Sequence, residues 1–126
     1  MKVKTTRKDE VQDITDKIQK LVDSEEIETG VATVFVKHTT CGLTTIELTS
    51  GVQNDFIEFL RKLIPQMEFR HEGQHSTDHL ISSLLGTSLT VPIVDGRLTL
   101  GTWQRIVLVE LNGPKDREIE ISLTET

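Results

Sequence analysis

The chain has 126 residues, of which 36% are hydrophobic and 27% charged, a balance typical of one globular domain with one core. Its formal net charge of −6 argues against a general nucleic-acid binder, which normally presents a basic surface. No apolar run approaches the roughly 20 residues that span a bilayer, and the segment MKVKTTRKDE lacks the apolar region of a secretory signal. Cys41 is the single cysteine, which excludes a disulfide within the chain. We therefore expect one cytoplasmic domain over residues 1–126, without a membrane or nucleic-acid partner.

The first half of the chain predicts both strands and helices. A short strand over residues 2–7 is followed by a helix over about 10–25, with Asp9 as its N-cap. The apolar residues of that helix recur at helical spacing: Val11, Ile14, Ile18, Leu21 and Val22. GVATVFVKHT and GLTTIEL are β-branched and predict two strands, and a second helix begins after Ser50 and ends at Pro65.

The second half predicts one more helix and then only strands. Ser76 can cap a helix over TDHLISSLL, with Gly86 just past its end. SLTVPIV and RLTLGTW flank Asp95-Gly96, the signature of a type I′ hairpin, and QRIVLVEL and REIEISL flank a second turn, NGPKD. The pattern indicates an α+β fold: a meander of mainly antiparallel strands with two or three helices on one face.

The histidines are the first candidates for chemistry. His71, His75 and His79 stand at i, i+4 and i+8, and His38 lies far upstream. Histidine is a common metal ligand and acid–base group, but a solvated polar loop explains the same spacing. Of the three, His79 has the best placement, because it lies at the start of a helix, whereas His75 has the weakest.

Cys41 and two glutamates are the second candidates. His38 and Cys41 could form a nucleophilic pair, although a lone cysteine is also a small buried hydrophobe. Glu47 and Glu110 stand in apolar, strand-like surroundings, where a carboxylate is paired, binds a metal, has a raised pKa or lies at a wet sheet edge.

A third group carries hydroxyls around a helix end: Ser82, Ser83, Thr87 and Ser88. A phosphate is better placed at the helix start, between Ser76 and His79, because the helix dipole is positive there. Trp103 and Gln104 could lie at a site rim, although a single tryptophan is also a typical core residue. A local basic pocket stays open, with these candidates: Lys37, Arg97, Arg105, Lys115 and Arg117.

The segments HTTCGLTTIE and DHLISSLLGTSLTVPIVDGRLTLGTWQRIVLVELNGP resemble the YjbQ-like family, which is associated with secondary thiamine-phosphate synthase activity. The resemblance covers nearly the whole chain and implies an α+β domain with a sandwich-like, mainly antiparallel sheet, commonly a homotrimer. It implies that His71 and His79 converge with His38, while His75 is peripheral. The family motif positions are His38, Glu47, His71, His79, Gly101, Trp103, Gln104 and Glu110. Asp78 departs from the family, which often has a small residue before the helix histidine.

The resemblance implies an enzyme that joins a pyrimidine diphosphate to a thiazole phosphate. The expected catalytic residues are His38, Glu47 and His79, and the expected substrate-binding residues are His71, Ser83, Thr87, Trp103, Gln104 and Arg105. His38, His71 and His79 are expected to hold a divalent ion, zinc or magnesium, and Lys37, Arg105 and His79 to stabilise the departing diphosphate. One alternative is a metal-dependent hydrolase or acid–base enzyme on a small phosphorylated substrate, with Glu47 as base. Another is a non-catalytic oligomer that binds a ligand or metal.

Overall fold

The computed structural model describes residues 1–71, 73 and 75–126, which form two antiparallel sheets and three helices. The strands are β1 Lys2–Lys4, β2 Glu10–Asp13, β3 Gly30–Val36, β4 Cys41–Glu47, β5 Ser88–Val94, β6 Arg97–Leu98, β7 Gln104–Glu110 and β8 Asp116–Glu125. The helices are α1 Thr15–Ser24, α2 Val52–Leu63 and α3 Ser76–Leu85. Within these described ranges, no helix has the length and apolar character needed to cross a membrane.

The two sheets pack face to face around the main core. One sheet has the strand order β1-β8-β3-β5-β6 and the other the order β2-β7-β4. Alternate residues of each strand point inward, as the two-residue period of a strand requires. The core includes Ala32, Val34, Leu43, Val91, Ile93, Ile106, Leu108 and Ile119, with Ile18 and Val22 of α1. This arrangement confirms the sandwich-like, mainly antiparallel α+β fold.

The outer face of the three-stranded sheet carries a second apolar cluster. Val107 and Val109 of β7 point away from the main core and pack with Leu60 of α2 and Ile81 of α3. The helices α2 and α3 therefore cover this sheet from outside, whereas α1 contributes to the core between the sheets. Two of the three helices thus share one face of the smaller sheet, within the expected two or three, and β7 is buried on both of its faces.

The first predicted helix begins later than its apolar spacing indicates. Residues 10–13 form β2, which pairs with β7 from Glu10 opposite Glu110 to Asp13 opposite Val107. The helix starts at Thr15, and Asp9 is no N-cap; its carboxylate accepts hydrogen bonds from Arg61. A partner strand that lies about 100 residues downstream leaves no mark on the local hydrophobic period.

The two predicted turns have different outcomes. Asp95 and Gly96 have φ values of 51° and 75°, as a type I′ turn requires, and they join β5 to β6. The strands around NGPKD do not pair with each other, because β7 lies between β2 and β4 while β8 lies between β1 and β3. This segment is therefore a crossing from one sheet to the other and not a hairpin.

The close approach of β3 to the C-terminal strand makes a first prediction. A Cβ atom on Gly30 would lie 2.0 Å from the carbonyl oxygen of Thr124, so Gly30→Ala forces the backbone apart. We expect it to lower the free energy of unfolding by about 1–3 kcal/mol, measured by urea denaturation. Gly101→Ala is the matched control, because its nearest neighbour would lie 3.6 Å away. Equal losses in the two variants would contradict the register of β3.

Candidate functional site

Residues 37–40 connect the two sheets and carry the first histidine of the site. They join β3 of the larger sheet to β4 of the smaller one, and the His38 side chain is half-buried there. Its Nε2 accepts the backbone N–H of Glu118 at 3.0 Å, so a neutral ring carries its proton on Nδ1. Burial and the nearby charge of Arg117 lower the pKa of His38, against the opposing effect of Glu110 and Glu118. His38 is therefore a neutral hydrogen-bond donor near pH 7.

His79 lies on α3 and contacts the same connecting segment. Its Nδ1 lies 3.0 Å from the carbonyl oxygen of Thr39, the residue after His38. A carbonyl oxygen only accepts hydrogen bonds, so Nδ1 carries the proton and Nε2 is left for a ligand or a proton transfer. Ser82, also on α3, donates its hydroxyl to the carbonyl oxygen of Cys41 at 2.6 Å. The two bonds hold the helix, and with it His79, against the start of β4.

His71 completes the group on the other side of His79. The two imidazole rings meet edge to face, with their centroids 4.9 Å apart. They border a cavity of about 310 Å³, the histidine pocket, which is lined by Met67, Phe69, Arg70, His71, Ser76, His79 and Leu80. His71 adjoins His79 directly, whereas His38 is connected to His79 through the Thr39 backbone, and its side chain is not part of the pocket lining. Arg70 was not among the sequence candidates, although its place next to His71 could have pointed to it.

Asp78 faces away from the ring of its neighbour His79 and anchors the helix. Its side chain is 2% exposed, and its Oδ1 accepts a hydrogen bond from Arg61 of α2 at 2.5 Å. Arg61 also donates to the carbonyl oxygen of Leu111 at 2.9 Å. The Nδ1 atom of His75 lies 3.5 Å from the second oxygen of Asp78. The Asp78 carboxylate, through Arg61, therefore ties α3 to α2 and to the residue that follows β7.

In the described part of the chain, the expected metal ligands His38, His71 and His79 are not grouped as a metal centre. Among residues 1–71, 73 and 75–126, no three His, Cys, Asp or Glu side chains are grouped so that they could hold a metal ion. The hydrogen bonds give part of the reason. The lone pair of His38 Nε2 already accepts the N–H of Glu118, so it is not directed at a metal ion. The lone pair of the His79 ring is on Nε2, the nitrogen that does not contact Thr39.

Glu47, expected to act with the histidines, lies at the far end of β4. Cys41 and Glu47 are the first and last residues of that strand, so they are about 20 Å apart at roughly 3.3 Å per residue. Glu47 is exposed, and its carboxylate accepts a hydrogen bond from the Thr49 hydroxyl at 3.3 Å. The expected trio of His38, Glu47 and His79 does not meet within one chain.

Three other expected binding residues share that far end. Gln104 pairs with Glu47 across the strands, and its side chain donates to Thr45 Oγ1 at 2.8 Å beside a separate cavity of about 350 Å³. Trp103 is 66% exposed, so it is not a core residue. Arg105 is occupied by Asp13 at 2.7 Å and Asp16 at 3.0 Å. These residues are remote from the histidine pocket.

Three more candidates from the sequence also lie outside the lining of the histidine pocket: Ser83, Thr87 and Lys37. Ser83 is exposed and Thr87 is half-buried, and neither is among the residues that line the histidine pocket. Lys37 lies 3.3 Å from Glu120 and 3.9 Å from Glu118. Arg70 is therefore the basic side chain that the pocket offers to an anion.

The surroundings of the two buried candidates, Cys41 and Glu110, indicate structural roles. Cys41 is fully buried, and burial raises the pKa of its thiol to about 11. Glu110 is also fully buried and forms an ion pair with Arg117, so the expectation of a wet sheet edge is wrong for Glu110. Burial alone would raise the pKa of Glu110, but the bonds from Arg117, Asn112 and Thr5 outweigh it and lower that pKa.

This two-sheet domain with a histidine-bearing connection belongs to a class with several solved structures. A conserved protein of Clostridium acetobutylicum, described as a member of the YjbQ/UPF0047 family, superposes with a TM-score of 0.93, 36% identity and 98% of each chain covered. A YbjQ-like protein of unknown function from Sulfolobus solfataricus gives 0.94 at 31% identity, with 100% of this chain and 94% of that chain covered.

Sequence comparison identifies the family. The sequence model described as "UPF0047 protein YjbQ-like" matches residues 1–126. A UPF0047 protein of Archaeoglobus fulgidus is 38% identical over 120 residues, 93% of each chain. Another, from Methanocaldococcus jannaschii, is 39% identical over 123 residues, 96% of this chain and 89% of the relative. The chain belongs to the YjbQ-like UPF0047 family, which confirms the resemblance read from the motifs.

The burial of the Cys41 thiol predicts slow reaction with thiol reagents in the native protein. With a pKa of about 11, Cys41 is almost entirely protonated at pH 8. We expect the native protein to react with Ellman's reagent at least about 10²-fold more slowly than the protein unfolded in guanidinium chloride, because the thiolate is the nucleophile. Fast reaction of the native protein would contradict the burial of Cys41 and reopen the nucleophilic pair with His38.

Proposed function

We propose that the protein is an enzyme acting on a small phosphorylated substrate in the histidine pocket. The observation that carries this proposal is the bond from His79 Nδ1–H to the Thr39 carbonyl, which leaves Nε2 to exchange a proton or bind a ligand. Arg70 supplies a positive charge for a phosphate, and Met67, Phe69 and Leu80 supply apolar surface for the rest of the molecule. This mixture suits a substrate with a flat, weakly polar ring and an anionic group.

The reaction to test first is the formation of thiamine phosphate from a pyrimidine diphosphate and a thiazole phosphate. In that reaction the thiazole nitrogen attacks the pyrimidine methylene carbon, a new C–N bond forms, and the C–O bond to the diphosphate breaks. The chain would have to stabilise the negative charge of the leaving diphosphate. Arg70 fits that role, and His79 can fill it by donating a proton from Nε2 or by holding a divalent ion there. The Nδ1–H of His38 is a further donor on the adjoining segment. The support for this particular substrate pair is the activity that the resemblance of the sequence motifs implies.

The test compares His79→Ala with His75→Ala under the same conditions. Each protein is mixed with the two substrates and magnesium, and the product is followed by mass. We expect wild-type turnover, a loss of about 10²–10⁴-fold in His79→Ala, and little change in His75→Ala, because His75 does not line the pocket. Circular dichroism checks that each variant is folded. An unchanged rate in folded His79→Ala would exclude the proposed role.

A divalent ion is a separate part of the proposal. We propose that a divalent ion, zinc or magnesium, enters with the phosphate groups of the substrate; zinc would use His79 Nε2 as a protein ligand, whereas magnesium would be held by phosphate oxygens and water. Turnover is measured with magnesium, with zinc and with a chelator, and the purified protein is subjected to elemental analysis. Full activity in chelator would remove the metal from the mechanism and leave the histidine and arginine roles in place.

We further propose that the cytoplasmic protein works as a homotrimer, with subunit contacts on the α2–α3 side. Six large apolar side chains are exposed there: Phe59, Leu63, Met67, Phe69, Leu80 and Leu84. Three of them, Met67, Phe69 and Leu80, also line the histidine pocket, so a neighbouring subunit at this surface would close the pocket from water.

The trimer is tested by native mass spectrometry at micromolar concentration. We expect a trimer for wild type and dissociation in Leu84→Glu, because Leu84 is 64% exposed and a carboxylate there would be buried without a partner on association. Val94→Glu, on β5 and 50% exposed, is the control and should remain trimeric. A monomeric wild type would refute the proposed assembly.

A further inference from the structure

A buried ion pair lies behind the histidine site without lining its pocket. Glu110 is 0% exposed and Arg117 is 2% exposed. Arg117 Nε donates to Glu110 Oε2 at 2.7 Å, and Arg117 Nη2 donates to Glu110 Oε1. The carboxylate also accepts the backbone N–H groups of Leu111 at 3.0 Å and Asn112 at 2.9 Å. Glu110 is thereby fully occupied, and it fixes the plane of the guanidinium group.

The Nη2 atom of the guanidinium group also donates to the segment that carries His38. Arg117 Nη2 donates to the carbonyl oxygen of Thr40 at 3.1 Å and to its hydroxyl oxygen at 2.8 Å. The next residue along the chain, Glu118, donates its backbone N–H to His38 Nε2 at 3.0 Å. Two consecutive residues of β8 thus hold His38 and Thr40, on either side of Thr39. The Thr39 carbonyl is the acceptor that sets the orientation of His79.

We propose that Arg117 is a positioning residue of the histidine site, which fixes the 38–40 segment so that both His38 and His79 are held with their protons on Nδ1. An effect of Arg117 on catalysis depends on the proposed function, whereas its effect on the positions of His38 and His79 does not. Arg117 is too deeply buried to touch a substrate, so it acts through Thr40 and His38.

Alternative residues show why an arginine is suited to this position. A well-packed apolar pair often stabilises a core as much as a buried ion pair does, so stability alone does not require these charges. An apolar side chain could not donate to Thr40, and a lysine could not span Glu110 and Thr40 with one planar fork. The charge of Arg117 also opposes protonation of His38 and helps to keep its ring neutral.

The test measures imidazole tautomers by long-range ¹H–¹⁵N NMR at pH 7.5, with resonances assigned from single histidine variants. The variants are Arg117→Met/Glu110→Met, which removes both charges together, and Arg117→Lys, which keeps the charge but loses the fork. Lys62→Met is the control, because it breaks an exposed ion pair with Glu58 on α2. In the neutral imidazole rings, wild type and control should carry the proton on Nδ1 and not on Nε2 in both His38 and His79.

We expect the folded double variant to lose this single state, with the ¹⁵N shifts of His38 and His79 moving towards tautomer averages. Where wild type turns over substrate, kcat should fall about tenfold or more while KM changes much less, since small misplacements of reacting groups can cost on the order of 10²-fold. Unchanged tautomers in the folded double variant would overturn the inference. If the double variant does not fold, the same shifts in Arg117→Lys decide the question. The NMR result stands whether or not wild type shows turnover, so failure of the proposed function remains distinguishable from failure of this inference.

Discussion

The buried ion pair between Glu110 and Arg117 is the interaction on which the arrangement of the two sheets and the histidine site depends. Glu110 ends β7 in the smaller sheet, and Arg117 lies in β8 of the larger one, so the pair joins the two layers. Thr5, after β1, donates its hydroxyl to Glu110 at 2.9 Å and adds the N-terminal segment to the same contact. Removing one partner of such a pair typically costs about 3–5 kcal/mol, because the other charge is left buried.

The location of the site follows from this junction. Two packed sheets leave few places where a polar segment can pass between them with its backbone groups satisfied. Residues 37–40 pass at this point, where Thr40 O accepts from both Arg117 and the N–H of Leu111, at 3.1 Å each. A side chain on this short segment inherits the rigidity of both sheets. His38 is therefore better placed for chemistry than a residue on a long surface loop.

The sequence predicts features that depend on neighbouring residues and misses those that depend on distant ones. The Asp95-Gly96 turn and the C-terminal ends of α2 and α3 follow from local backbone chemistry, and they are found close to where the sequence predicts them. The expected N-caps Ser50 and Ser76 are wrong, because the N-cap positions are Gly51 and His75. The local pattern predicts a helix where β2 lies, because the partner strand β7 is remote in sequence. Residue type and motif position place Glu47 with the histidines, but they give no distance. In the structure, the length of β4 separates Glu47 from the histidine site. The role of Arg117 was equally hidden, because its partners Thr40 and Glu110 lie in two other segments.

α3 is held near its first turn from three directions, and this explains how a partly exposed histidine can keep one orientation. Arg61 binds Asp78 from α2, Cys41 accepts from Ser82 on the β4 side, and Thr39 accepts from His79. Each bond alone would allow the helix to slide or rotate. Together they fix its position, its rotation and the plane of the His79 ring. Asp78 lies one residue from His79, and its negative charge is paired with the positive charge of Arg61. The carboxylate thus strengthens the scaffold of the histidine pocket without placing an unmatched negative charge in it, which an anionic substrate would oppose.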